Sequence, residues 1–303
     1  GEDTAATDIS KDEVLVLKSD PITFATDAVG QYAVLVNAND IATSGATPRW
    51  FMTTLLFPPG TTGSSIWLTM DELNRISSKY DITLCGGHTE ITDAVNRPVV
   101  IGSLVGTVAR KNLIDKSSML PGDKVLMTKA VAVEGTAIIA REFESRLKAL
   151  NVSGEEIQRC RRLLDQVSIM EEAKLAVSTG GVSAMHDVTE GGLATALFEL
   201  SAAGGYGITV DMDAIPIFPE TERISRLLDI SPLGLIGSGT LLICCRPEKS
   251  EAMMEALFKA GIRVSCIGAV LDQAAGIRAY THAGPQSWPT FDVDEITRLF
   301  HDH

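Results

Sequence analysis

Alternating strand-like and helix-like segments in both halves of the chain predict an α/β or α+β protein built as two domains. Three observations carry that expectation. Apolar runs of strand length alternate with longer stretches of helical spacing. A strong break falls at Leu120-Pro121-Gly122-Asp123. The 303 residues suffice for two separate cores. The break divides the chain into domains at residues 1–119 and 120–303.

In the first half, Val14 to Leu17 reads as a buried strand ending in Lys18-Ser19-Asp20-Pro21. From Gln31 to Ser44, Ala33, Val36, Asp40 and Ser44 recur at helical spacing, and Gly45 ends the helix. Asn37 and Asp40 stand three apart, so one helical face can carry both. Trp50 to Phe57 is a second strand and Ser65 to Tyr80 a second helix. Ile82 to Cys85 is a third strand, feeding what reads as a Gly86-Gly87 turn, and Pro98 to Ala109 is a fourth.

In the second half, strands are expected at Lys124–Thr128, Ser183–Val188, Ile208–Met212, Thr240–Cys245 and Val264–Leu271. Helices are expected over Glu134–Leu150, in two stretches before Thr179-Gly180-Gly181, over Gly192–Ala203 and over Glu248–Ala260.

Composition excludes several classes. At 45% hydrophobic, 21% charged and 5% aromatic, the chain reads as an ordinary globular protein. A net charge of −13 argues against a nucleic-acid partner, which calls for a basic face. The acidity fits either a cation-loaded site or simply a solvated surface. The cysteines at 85, 160, 244, 245 and 266 are odd in number and form no C-x-x-C pair. Reduced thiols and a cytoplasmic location are expected, not disulfides or zinc. No apolar run approaches the ~20 residues of a membrane helix, and no signal-peptide pattern opens the chain. It begins inside a motif without a Met, so a preceding segment is expected.

Two runs concentrate chemistry: Gly86-Gly87-His88-Thr89-Glu90 and His186-Asp187-Val188-Thr189-Glu190-Gly191-Gly192-Leu193. Glycines let backbone N–H groups approach an anion, and neighbouring carboxylates can hold the Mg²⁺ that travels with a nucleotide. Asp3, Asp20 and Asp40 each sit beside small or turn residues, and gathered carboxylates call for a cation. The plainer reading is that Asp20 starts a turn and Asp40 is a solvated helix residue. His88 and Glu90 are candidate catalytic groups, or only hydrogen-bonding residues after a bulge. Asp187 either serves catalysis or caps the helix that Gly192 opens. No Walker loop, G-x-G-x-x-G after a strand, H-E-x-x-H or G-x-S-x-G occurs.

These runs together resemble the motifs of the AIR synthase (PurM-like) superfamily. Gly1-Glu2-Asp3-Thr4-Ala5 is similar to its G-[DE]-D-x-A opening, and Asn39 to Pro48 to its N-D-[IL]-x-x-x-G-A-x-P helix. Gly86 to Glu90 resembles its G-G-[EHD]-T turn, Asp187 to Leu193 its D-x-[TS]-x-G-G-L turn, and Pro121-Gly122-Asp123 the start of its second domain. The resemblance implies an N-terminal sheet that pairs into a barrel across a homodimer, followed by a C-terminal α/β domain. It implies ATP and Mg²⁺ as cofactors, with Asp3, Asp20 and Asp40 as metal ligands. Lys18 and Asn37 would line the nucleotide with Gly86, Gly87, Gly191 and Gly192. His88, Glu90 and Asp187 would serve catalysis.

Lys18-Ser19-Asp20-Pro21-Ile22-Thr23 and Pro232-Leu233-Gly234 look most similar to the HypE hydrogenase-maturation branch and its paralogues. That branch implies ATP-driven phosphorylation of a carboxamide-type oxygen, on a small molecule or a protein tail, with hydrogenase-maturation partners. HypE carries its substrate on a C-terminal cysteine, whereas here the last cysteine is Cys266. Either a substrate-bearing tail is missing from this sequence or the acceptor differs. Two other readings stay open: a kinase or synthetase of the purine, thiamine or selenophosphate type, and a nucleotide-binding scaffold without catalysis. No nucleic acid and no membrane are expected as partners.

Overall fold

The computed structural model describes residues 4–23 and 27–301. Two compact units emerge, residues 3–113 and a larger one from 114 onward, so the division precedes the Leu120 break. Among the described residues no helix is long and apolar enough to cross a membrane, and all five cysteines are free.

The first unit contains β1 (Ala5–Asp8), β2 (Glu13–Ile22), α1 (Val29–Thr43), β3 (Thr47–Phe57), α2 (Gly63–Lys79), β4 (Thr83–Ile91) and β5 (Val99–Ala109). Its sheet runs β1-β2-β5-β3-β4. All pairings are antiparallel except β3 with β4. Burial alternates along β5, with Val100, Leu104 and Val108 inside, as a strand with one covered face requires. The cover is α1, which is buried almost all round. Two glycines of β5 let it lie close. A Cβ on Gly102 would fall 2.4 Å from Asn37 Nδ2, and one on Gly106 would fall 2.4 Å from Ile41 Cγ2.

The expected turn at Gly86-Gly87 is a bulge inside one continuous strand. β4 runs straight through the pair, and its register against β3 shifts between Phe51 and Met52. The strand after Leu17 likewise continues through Lys18 to Ile22, so Asp20 lies within the ladder and starts no turn.

The larger unit contains β6 (Lys124–Thr128), α3 (Val133–Glu142), α4 (Glu144–Ala149), α5 (Gly154–Arg161), α6 (Met170–Thr179), β7 (Val182–Asp187), α7 (Gly192–Gly204) and β8 (Gly207–Asp211). There follow α8 (Pro219–Leu228), β9 (Leu241–Cys245), α9 (Pro247–Lys259), β10 (Val264–Val270), β11 (Gly276–Thr281), β12 (Gly284–Gln286) and α10 (Glu295–His301). The sheet order is β12-β11-β8-β10-β6-β9-β7. β9 is buried at every residue, including Cys244 and Cys245, and burial pushes the Cys245 thiol up to about 12. The helix expected over Glu134–Leu150 breaks in two at Phe143, whose ring meets Phe300 of α10 edge-on at 5.0 Å.

Candidate functional site

Alternation along β2 places Lys18 and Asp20 on the same face as buried Val14, Val16 and Ile22. That face meets α1, from which Asp40 projects. Lys18 Nζ lies 3.0 Å from Asp20 Oδ2 and 3.0 Å from Asp40 Oδ2. The side chains of Lys18, Asp20 and Asp40 are 17%, 34% and 4% exposed, so Asp40 is an interior carboxylate, not a solvated helix residue. Burial works against the Lys18 charge, but Asp40 and Asp20 outweigh it and hold its pKa above the ordinary lysine value.

Asn37, expected at a nucleotide, is engaged elsewhere. It is fully buried; its Oδ1 accepts from Asp20 N at 3.0 Å, while Nδ2 donates to Ala33 O at 2.9 Å and reaches Asp20 O at 3.4 Å. With acceptor and donors committed to backbone, its role is to fix Asp20 against α1. Asp3 lies outside the described residues.

The sheet register connects this cluster to the glycine pair. Asp20 pairs with Gly102, Gly102 with Thr53, and Thr53 with Gly87, one lateral row across four strands. Three strand spacings separate Asp20 from Gly87, roughly 14 Å. Gly87 has to be glycine, because a Cβ there would fall 2.0 Å from Thr53 O. Gly86 stands at φ +155° with open space where a Cβ would go, so its backbone is approachable. His88 and Glu90 follow on the edge strand, Nε2 to Oε2 at 3.7 Å, with side chains 69% and 52% exposed. They face solvent as a loose pair.

The second glycine pair is built differently. Gly191 and Gly192, at φ +74° and +62°, open α7. The Gly191 N–H already donates to Asp294 Oδ2 at 2.7 Å, while Asp294 Oδ1 accepts from Ile236 N at 3.2 Å and Ile296 N at 2.9 Å. A Cβ on Gly192 would fall 2.5 Å from Leu233 O. In this structure the Gly191 amide of the expected cofactor pair is taken by Asp294, and Gly192 permits close backbone packing. Asp187 ends β7 opposite Leu241 and is 1% exposed, so the expected catalytic carboxylate is an interior group. Its neighbour His186 places Nε2 3.1 Å from Glu199 Oε2.

Two buried groups of this unit gave no motif signal. Glu134 accepts from Ser238 N at 3.2 Å; burial, with smaller contributions from Asp294 and Glu190, pushes its carboxyl up to about 7. Lys129 donates to the carbonyls of Gln166, Ser168 and Gly239 at 2.9, 2.7 and 2.9 Å and pairs with Glu172 at 2.5 Å. Burial lowers the Lys129 pKa against the pull of Glu172. A lysine binding three carbonyls and a carboxylate is a tie between loops. Its partners lie far along the chain, so only the fold identifies it.

Comparison with known proteins follows the same two-part division. Residues 1–108 match the family described as AIR synthase related protein, N-terminal domain, and residues 121–280 match its C-terminal domain. A putative hydrogenase expression/formation protein of Methanocaldococcus jannaschii is 28% identical over 78% of this chain and 68% of its own length. The carbamoyl dehydratase HypE of Cupriavidus necator is 26% identical over 85% of this chain and 72% of its own. Among solved structures, Escherichia coli HypE superposes with a TM-score of 0.82 at 20% identity, covering 94% of this chain and 88% of that one. HypE in complex with ATP gives 0.81 at 19% identity, covering 97% and 89%. A ThiL complexed with AMPPCP and TMP gives 0.76 at 18% identity, covering 95% and 89%. With both domain families matched in order, and a mixed two-sheet architecture shared with these structures, the chain belongs to the AIR synthase related family.

Proposed function

We propose that the chain is a HypE-like, ATP-dependent enzyme that phosphorylates and so activates a carboxamide-type oxygen, in the setting of hydrogenase maturation. The observation that carries this reading is the lateral row from Asp20 through Gly102 and Thr53 to Gly87. It puts the Lys18, Asp20 and Asp40 cluster and the glycine pair on one sheet, where the open backbone at Gly86, beside Gly87, is the part that can meet an anion without a Walker loop. ATP binding by HypE and of an ATP analogue by ThiL supports the ligand assignment.

In the transfer, the carboxamide oxygen attacks the γ-phosphorus. The new O–P bond forms as the bond to the β-phosphate oxygen breaks, and ADP leaves. One N–H proton of the carboxamide is lost as the O-phosphorylated imidate forms. The C–O bond then breaks and phosphate leaves with its electrons. Loss of the second N–H proton forms the C≡N bond, so that the net change is dehydration of the amide. Exposed His88 and Glu90 stand on the same edge as Gly86 and are the groups placed to hold or move a proton. Mg²⁺ belongs to the proposal as the ion a triphosphate carries. The Asp20/Asp40 pair does not fit it as it stands, because both carboxylates already face the Lys18 ammonium.

A homodimer is part of the same reading. The sheet face opposite α1 exposes Leu17, Trp50 and Met52 at 38%, 45% and 48%, apolar area that a second copy would cover. HypE has been solved in complex with HypF, which supports a maturation partner. Five free thiols fit a reducing cytoplasm.

Acceptor-dependent ADP release by the full chain tests the proposal. S-carbamoyl cysteine peptides are expected to stimulate release, and thiamine monophosphate or purine precursors are not. Stimulation only by the latter would make the chain a small-molecule kinase. Nucleotide binding without turnover on any acceptor would make it a scaffold.

A further inference from the structure

We propose that the Asp20/Asp40 carboxylate pair carries its own cation, the Lys18 ammonium, and takes up a divalent metal ion only when that ammonium is removed. Lys18 Nζ stands 3.0 Å from one oxygen of each carboxylate and so lies between the two groups that an ion would bridge. A Mg²⁺ ion bridging the two carboxylates needs its oxygens at about 2.0–2.1 Å and several further oxygen ligands. Ion and ammonium together would place two cations within a bond length or two of each other, beside an Asp40 side chain only 4% exposed.

The lysine is also held in place. Lys18 pairs with Leu104 of β5, and Leu17 before it is paired on both edges, by β1 and β5, so the ladder holds the Lys18 backbone. Asn37 fixes the opposing group by holding both the N–H and the carbonyl of Asp20. Asp40 is an interior carboxylate of α1, only 4% exposed, and the Lys18 ammonium is the cation beside it. A tethered ammonium therefore does permanently, with one charge, what a dissociable ion does with two. The proposal concerns the protein without nucleotide and stands whatever the phosphoryl acceptor proves to be.

Counting bound Mn²⁺ by electron paramagnetic resonance tests this on the full chain in the absence of nucleotide. Four proteins are compared: wild type, Lys18→Gln, Asp40→Asn and the double variant. Lys18→Gln is expected to gain one Mn²⁺ site, tighter than any wild-type binding by about ten-fold or more. The double variant is expected to lose that site. Thermal melts guard against a folding defect: Mn²⁺ is expected to raise the Tm of Lys18→Gln and leave the wild type unmoved. The proposal is overturned if the wild type binds Mn²⁺ as tightly as Lys18→Gln and Asp40→Asn abolishes that binding, since the metal would then displace the lysine. It is equally overturned if Lys18→Gln gains no site while its melt shows a folded protein.

Discussion

The two glycine pairs of this chain sit beside acidic residues in the same way along the sequence, yet the fold uses them with opposite sign. In the first unit the acids Asp20 and Asp40 close on a cation, Lys18, while Gly86 leaves approachable backbone on an edge strand. In the second unit the acid is itself the occupant: Asp294 takes the Gly191 amide, and Gly192 is pressed against the backbone of Leu233. A helix N-terminus attracts an anion from whatever source is nearest. Here the chain supplies that anion from far along its own length. What separates an open site from a structural joint is therefore the charge the protein brings to the glycine.

The contrast is broken most severely at Gly192. Its φ of +62° and a prospective Cβ only 2.5 Å from Leu233 O leave no room for alanine. Gly192→Ala is expected to destabilise the protein by ~3 kcal/mol or more, measured by denaturant unfolding. Gly86→Ala meets no neighbouring atom and is expected to cost less. Equal losses at the two positions would remove the distinction between joint and open backbone. A smaller effect is expected at Asp294. Asp294→Ala deprives three backbone N–H groups of their acceptor and is expected to cost about 2–3 kcal/mol, offset in part by relief of repulsion with Glu134. Added phosphate that restored stability in that variant would show that the turn still attracts an anion when its own is removed.

Much of the frame was legible in the residues, because local pattern and tertiary need agree there. The alternation of β5 and the helical spacing from Gln31 to Ser44 both reflect one buried interface, so each reports the other. The Gly86-Gly87 pair misled because a bulge and a turn demand the same residue, and only pairing with β3 separates them. Asn37 is expected at the nucleotide by resemblance alone, and as a buried polar residue it needs a partner in the fold. That partner proved to be the backbone of Asp20. Lys18 beside Asp20 was visible in sequence as neighbours two apart, but the third member, Asp40, arrives from another element. Asp294 could not be foreseen at all: it meets Gly191 across more than half of the second unit, and no local signal marks an acid as a distant cap.

The smallest expected effect lies in pH dependence, and it tests whether the second cluster holds buried charge. The Glu134 carboxyl is raised from its ordinary 4.5 to about 7, chiefly by burial and then by Asp294 and Glu190, against the hydrogen bond from Ser238. In the unfolded chain the group ionises near 4.5; in the folded protein it keeps its proton until about 7. Between those values the folded state binds more protons, so stability falls as pH rises through the window and levels off above it. The loss between pH 5 and pH 8 is expected to be on the order of 2 kcal/mol. Glu134→Gln keeps an acceptor for Ser238 N but has no proton to lose, so its stability is expected to vary less over the same range. Thermal melts of both proteins at pH 5, 6.5 and 8 make the comparison. Parallel curves would mean that Glu134 is ionised throughout, and that the second cluster, like the first, depends on a cation beside its acids.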